Sequence, residues 1–124
     1  ALGGQSFTGG AYQFHNNVDE YNVVENEWQP LTPMPTPLSR FSVGVAEEKV
    51  FIIGGTEKFG EDTSGLRNYL FTYNSFLDVW TNGGEIPIRL CGHASITIAN
   101  EFYILGGNTT FPNPEKLFIR TKFK

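Results

Sequence analysis

Few side chains in this 124-residue chain have the spacing needed to make or break bonds. Cys91 is the single cysteine, so no internal disulfide and no cysteine-based zinc cluster can form. A lone cysteine of this kind is usually a small buried hydrophobe. His15 and His93 are the two histidines, and no Ser–His–acid order, phosphate loop or His-Glu-x-x-His motif accompanies them. What the sequence does supply is recognition chemistry. Arg40, Arg67 and Arg89 offer planar forks of donors that suit acidic groups. His93 adds positive charge only below about pH 6.5. Tyr12, Phe14, Phe59 and Phe111 add flat apolar area of the sort enriched among binding anchors. Asn108-Thr109-Thr110 has the form of an N-glycosylation acceptor.

The elements that position these groups announce themselves by repetition. Val50-Phe51-Ile52-Ile53 runs into Gly54-Gly55, and Phe102-Tyr103-Ile104-Leu105 runs into Gly106-Gly107. Ala1-Leu2-Gly3-Gly4 is the tail of the same phrase, so the glycine pairs start at residues 3, 54 and 106. Tyr21 returns as Tyr73 and Trp28 as Trp80, both 52 residues on. A period this long marks a stacked or radial repeat. The composition suits strands: 11 Phe, 5 Tyr and 2 Trp, punctuated by 14 Gly and 7 Pro. No stretch keeps apolar residues at helical spacing for three turns. The net charge is −4, and no Lys/Arg run precedes the tail Arg120-Thr121-Lys122-Phe123-Lys124, which argues against nucleic acid as the main partner. No apolar run of 18 residues is present to cross a membrane as a helix.

Glycine pair, tyrosine, tryptophan, Pro33-Met34-Pro35 and Arg40 in that order resemble the kelch repeats. The second repeat matches at Gly54-Gly55, Tyr73, Trp80 and Gly106-Gly107, and departs between Trp80 and Gly106, where only Ile86-Pro87-Ile88 stands. The resemblance implies an all-β fold of four-stranded antiparallel blades in a β-propeller. A closed ring takes 4–8 blades, about 200–400 residues at this period, so the chain is expected to be one part of a longer polypeptide supplying the other blades. The expected division places the end of a first blade in residues 1–40, a complete blade in 41–82, and a third blade lacking its last strand in 83–124. Gly3, Gly4, Gly54, Gly55, Gly106 and Gly107 then serve sharp exits from strands. Tyr21, Trp28, Tyr73 and Trp80 fill the seams between blades, where losing either Trp from the full-length protein is expected to cost about 3–5 kcal/mol.

In detail, strands are expected at 18–22, 28–31, 41–46, 50–53, 69–73, 78–81, 94–98, 102–105 and 116–121. Residues 5–17, 56–68 and 108–115 read as polar loops. Residues 32–39, and the segment starting at Asn82, read as loops crossing between blades. In kelch domains resembling this chain, one face of loops takes up partner peptides. That resemblance makes Arg40, His93, Arg89, Arg67, Tyr12 and Phe59 the candidate partner-binding residues. Arg40 and His93 are expected at matching places where the hub strands begin, near the central channel, as adjacent donors for an acidic peptide. Arg40 bracing its own loop carbonyls is the alternative reading. The expectation is a protein-interaction module, an adaptor or scaffold, in the cytoplasm with an extracellular setting as the alternative, without a cofactor and without nucleic acid or membrane as partner. Catalysis resembling the copper radical oxidases such as galactose oxidase is the alternative, with glycan binding a third. The copper chemistry needs a Cys–Tyr pair and two His, and Cys91, His15 and His93 are poorly placed to supply them.

Overall fold

The computed structural model describes residues 1–58, 63–109 and 118–122. Among the described residues, eleven strands form four antiparallel sheets. The middle sheet is the reference for the rest. Its strands β5 (Ser42–Ala46), β6 (Lys49–Ile53), β7 (Tyr69–Asn74) and β8 (Val79–Glu85) lie in sequence order, each paired with the next. Before it comes a two-stranded sheet, β3 (Val18–Asn22) with β4 (Glu27–Leu31), to which Leu2 adds a single bridge at Val18. After it comes β9 (Ala94–Ile98), β10 (Glu101–Leu105) and β11 (Phe118–Lys122), with β10 at the centre.

The apolar run 50–53 explains why the two inner strands of the middle sheet, β6 and β7, are buried on both faces. Neighbouring residues of a strand point to opposite sides. Phe51 and Ile53 join Ala46, Leu70, Ile86, Leu90, Phe102 and Ile104 in a cluster shared with the third sheet. Ile52 turns the other way and joins Val18, Met34, Leu38 and Phe71 against the first sheet. Phe51 and Phe102 meet edge-on across the first of these seams, their centroids 5.2 Å apart. Gly44 makes room for this, because a Cβ there would lie 2.2 Å from Phe102 Cε1.

The repeat extends to the backbone. Gly3, Gly54 and Gly106 have φ of 53°, 66° and 67°, and Gly4, Gly55 and Gly107 follow at 102°, 106° and 91°. Only glycine adopts this pair of conformations without strain. The turns repeat as well. Asn22 Oδ1 accepts from the N–H of Val24 (3.0 Å) and Glu25 (3.1 Å), and Asn74 Oδ1 from Phe76 (3.0 Å) and Leu77 (3.2 Å). Each of these turns closes on a left-handed residue, Asn26 (φ 53°) or Asp78 (φ 52°). The β5–β6 and β9–β10 hairpins turn through left-handed pairs too, Glu47-Glu48 and Ala99-Asn100.

Two expectations need correction. Residues 5–17 are not a loop throughout: β1 (Gln5–Thr8) and β2 (Ala11–Phe14) form a hairpin through Gly9-Gly10, both at positive φ. Nor does Asn82 start a crossing loop. β8 runs on to Glu85, and an irregularity in its pairing with Tyr69–Phe71 absorbs the extra residue. Of the loop expected at 56–68, residues 63–65 form a 3₁₀ turn and 59–62 lie outside the described residues. Trp28 is 63% exposed among the described residues, whereas Trp80, one repeat later, packs against the seam of Ile52 and Phe71.

Candidate partner-binding face

Backbone hydrogen bonds draw the loops of neighbouring sheets together at one end of the strands. The crossing loop 32–41 is tied to the loop after β6 by a reciprocal pair, Ser39 N–H to Thr56 O (3.0 Å) and Thr56 N–H to Ser39 O (2.9 Å). The next crossing loop repeats this between Cys91 and Asn108, at 3.0 and 2.8 Å. Leu90 N–H reaches Arg67 O (3.1 Å), and Gly92 N–H reaches Arg40 O (2.8 Å). Ser39 Oγ donates to Gln5 Oε1 (2.9 Å), which attaches the β1–β2 hairpin to the same end. These bonds bring together the segments carrying Tyr12, Arg40, Arg67, Arg89 and His93.

The candidates then divide. Arg40 is exposed, holds a left-handed conformation (φ 56°), and pairs with no carboxylate among the described residues. Its guanidinium lies against the Cys91 thiol, which is buried. Burial pushes the Cys91 thiol up in pKa, and the nearby Arg40 charge opposes part of that shift. Arg89 is also exposed, with no carboxylate partner among the described residues.

Arg67 is committed within its own loop. It binds Glu57 Oε2 through Nε (3.0 Å) and Nη2 (2.6 Å), and Nη1 reaches the carbonyls of Ser64 (3.0 Å) and Leu66 (3.1 Å). Glu57 is the centre of that network, since it also accepts from Thr36 Oγ1 (3.0 Å) and Tyr69 OH (3.5 Å). The Glu57 carboxylate is the main cause of the raised Arg67 pKa. A cation already spent on such a pair contributes less to a partner than a free one does.

His93 is not a surface cation. It is buried, and its Nε2 shares a hydrogen bond of 2.8 Å with Ser42 Oγ. Nδ1 is buried with no hydrogen-bond partner. The Ile53 carbonyl lies close enough to raise the pKa slightly without reaching hydrogen-bonding geometry at Nδ1. Burial dominates and takes the ring down to about 4, so His93 is neutral at pH 7. Its repeat position also differs from the expected one. Ser39 and Cys91 occupy equivalent backbone sites, so the residue matching Arg40 is Gly92, also left-handed (φ 66°). His93 instead matches Phe41, which explains why it faces inward.

Tyr12 is exposed on the β1–β2 hairpin, its ring 4.8 Å from the cross-strand Phe7. Phe59 and Phe111 lie outside the described residues. Among the described residues, no three His, Cys, Asp or Glu side chains are grouped to hold a metal ion. From sequence, Glu57 counts only as a charge offsetting Lys58 and Arg67 in the 56–68 loop, and Ser42 gives no signal at all. A carboxylate ten residues before Arg67 carries no distinctive spacing signal, and Ser42 meets His93 only because β5 and β9 come together.

Comparison with known proteins agrees with the repeat. The Kelch motif model matches residues 1–35. "Kelch repeat and BTB domain-containing protein 12" of Homo sapiens is 27% identical over 110 residues, covering 86% of this chain and 18% of that protein. "Kelch-like protein terF" of Aspergillus terreus is 28% identical over 106 residues, covering 85% of this chain and 23% of that one. The solved structure of YjhT superposes with a TM-score of 0.72 at 16% identity, over 99% of this chain and 48% of that one. The chain has the fold of a β-propeller segment and is similar to kelch-repeat proteins over most of its length. Its middle sheet is a four-stranded antiparallel, blade-like sheet, flanked by smaller sheets. The described residues close no ring, and the chain spans less than a quarter of the curated kelch relatives named above.

Proposed function

We propose that this chain is part of a protein-interaction propeller, and that its crossing-loop face takes up an acidic segment of a partner protein. The observation that supports this best is the contrast among the arginines. Arg67 is satisfied within its loop, while Arg40 and Arg89 stand exposed on adjoining crossing loops without carboxylate partners among the described residues. Two unspent guanidinium groups on rigidly tied loops suit carboxylates, and a stable scaffold with such loops is where specificity commonly resides. The name of the human relative joins kelch repeats to a BTB domain, which favours an adaptor or scaffold role for the whole protein. Binding rather than catalysis is proposed because Cys91 is held as a buried thiol, a state unsuited to a nucleophile or metal ligand.

The test is Arg40→Ala in the full-length protein, titrated calorimetrically against its native partner alongside a thermal melt. Affinity should fall by about 1.5–3 kcal/mol, the range for a hydrogen bond to a charged group, with the melt unchanged. Unchanged affinity would remove Arg40 from the site. A lowered melting temperature would assign it to bracing the loop.

A further inference from the structure

The loop after β6 contains an arrangement that binds a carboxylate, and the chain's own Glu57 occupies it. Separate donors read the two oxygens of that side chain. Oε2 accepts from Arg67 Nε (3.0 Å) and Nη2 (2.6 Å). Oε1 accepts from Thr36 Oγ1 (3.0 Å) and, at the limit of reach, from Tyr69 OH (3.5 Å). A guanidinium edge on one oxygen and hydroxyls on the other match a planar anion with two equivalent oxygens. The donors come from the crossing loop 32–41, the loop after β6 and the first residue of β7. The fold, and no single segment, builds the site.

These donors are held in place independently of Glu57. Arg67 Nη1 reaches the carbonyls of Ser64 (3.0 Å) and Leu66 (3.1 Å), and Cζ lies 6.0 Å from the centroid of the Tyr69 ring. The Arg67 backbone is fixed as well, its N–H on Gly55 O (2.9 Å) and its C=O on Leu90 N–H (3.1 Å). Thr36 stands between Pro35 and Pro37, in a segment restricted to extended conformations. Glu57, by contrast, can leave by side-chain rotation alone. Its N–H is anchored on Gly65 O (2.9 Å), beside the Ser39–Thr56 backbone pair, so no loop has to move. The ion pair lies at the solvent boundary, with the Arg67 side chain 23% and the Glu57 side chain 25% exposed. Pairs so exposed contribute little to stability, so replacing one carboxylate by another costs little.

We propose that Arg67, Thr36 and Tyr69 form a latent carboxylate site, that Glu57 holds it closed, and that an acidic side chain of the partner displaces Glu57 to enter it. This rests on the reading of the crossing-loop face as a site for an acidic segment. The loop that carries Thr36 also carries the exposed Arg40 four residues on, so one segment can engage both. Glu57 is then an internal competitor. It covers the Arg67 charge in the free protein and yields only to a group that replaces both of its oxygens. An amide offers one acceptor oxygen and no charge, and it does not meet that demand.

The test uses the full-length protein and two probes. Glu57→Ala deletes the acetate portion of the side chain, so sodium acetate is the first probe. The variant should melt at a lower temperature than the parent, and acetate should restore much of the loss saturably. Sodium chloride at equal ionic strength should not, and the parent should not respond to acetate. Adding Arg67→Lys, which keeps the charge and removes the fork, should abolish the rescue. The second probe is a capped hexaglutamate peptide, titrated calorimetrically. Glu57→Gln, which keeps the shape of the side chain, should bind it about tenfold more tightly than the parent, the low end for a charge-assisted hydrogen bond. Arg40→Ala should bind it more weakly. If Glu57→Ala does not fold, the Glu57→Gln titration decides alone. No rescue by acetate would overturn the latent site and leave the reading of the face intact. So would peptide affinity unchanged by Glu57→Gln while Arg40→Ala weakens it. Rescue by acetate with no peptide binding in any variant would overturn the reading of the face, and displacement by a partner with it.

Discussion

Tyr21–Trp28 and Tyr73–Trp80 are the same structure in two surroundings. Their hairpins share register, turn, left-handed residue and ring stacking. One Trp lies against a buried cluster and the other stands 63% exposed. Local sequence therefore builds the outer hairpin of each blade without help, while burial comes from the blade next door. The glycines teach the same lesson. A Cβ on Gly54 would lie 2.6 Å from Leu90 O of the following crossing loop, whereas among the described residues nothing comes within 4 Å of one on Gly106, whose φ is nearly identical.

This contrast can be broken most forcefully at the two tryptophans. Trp80→Ala should destabilise the chain by about 3 kcal/mol, the lower end for aromatic truncation, since the residue is only partly buried. Trp28→Ala should cost less than about 1 kcal/mol, as surface substitutions do. Urea melts of the two variants decide it, and equal losses would mean that the exposed hairpin is packed after all.

His93 sharpens the comparison from the third blade, because the equivalent position in the second is Phe41. With a folded pKa of about 4 against about 6.5 unfolded, the unfolded chain holds more protons between those limits. Stability should therefore be flat above about pH 6.5 and fall as pH drops toward 4, by somewhat less than the full linkage of about 3 kcal/mol. His93→Phe, which installs the residue of the sister blade, should remove most of that slope. Chemical denaturation across this range, compared with the parent chain, measures the difference. Parallel curves would show that His93 does not titrate as a buried group.

The fold was readable because its signals are local and repeated. A four-residue apolar run ending in Gly-Gly, followed at constant spacing by Tyr and Trp, fixes a blade whatever surrounds it. The β1–β2 hairpin was overlooked although Gly9-Gly10 between alternating Gln-Ser-Phe-Thr and Ala-Tyr-Gln-Phe is a hairpin signal; the polar composition masked it. The site was less legible. That Arg40 is exposed while Arg67 is spent depends on Glu57, ten residues away from Arg67, and no pattern in the sequence encodes that pairing. Matching His93 to Arg40 assumes a shorter turn at Ala99-Asn100-Glu101, whereas both hairpins turn through two residues. The 52-residue period, applied strictly, sets Gly92 against Arg40 and His93 against Phe41.

The most direct test of a repeat whose local structure is autonomous and whose burial is borrowed is collisional quenching in single-tryptophan chains. Trp80→Phe leaves only Trp28, and Trp28→Phe leaves only Trp80. Acrylamide should quench Trp28 nearly as efficiently as a free indole and Trp80 several-fold less. Equal quenching of the two, in variants that melt as folded proteins, would contradict the account.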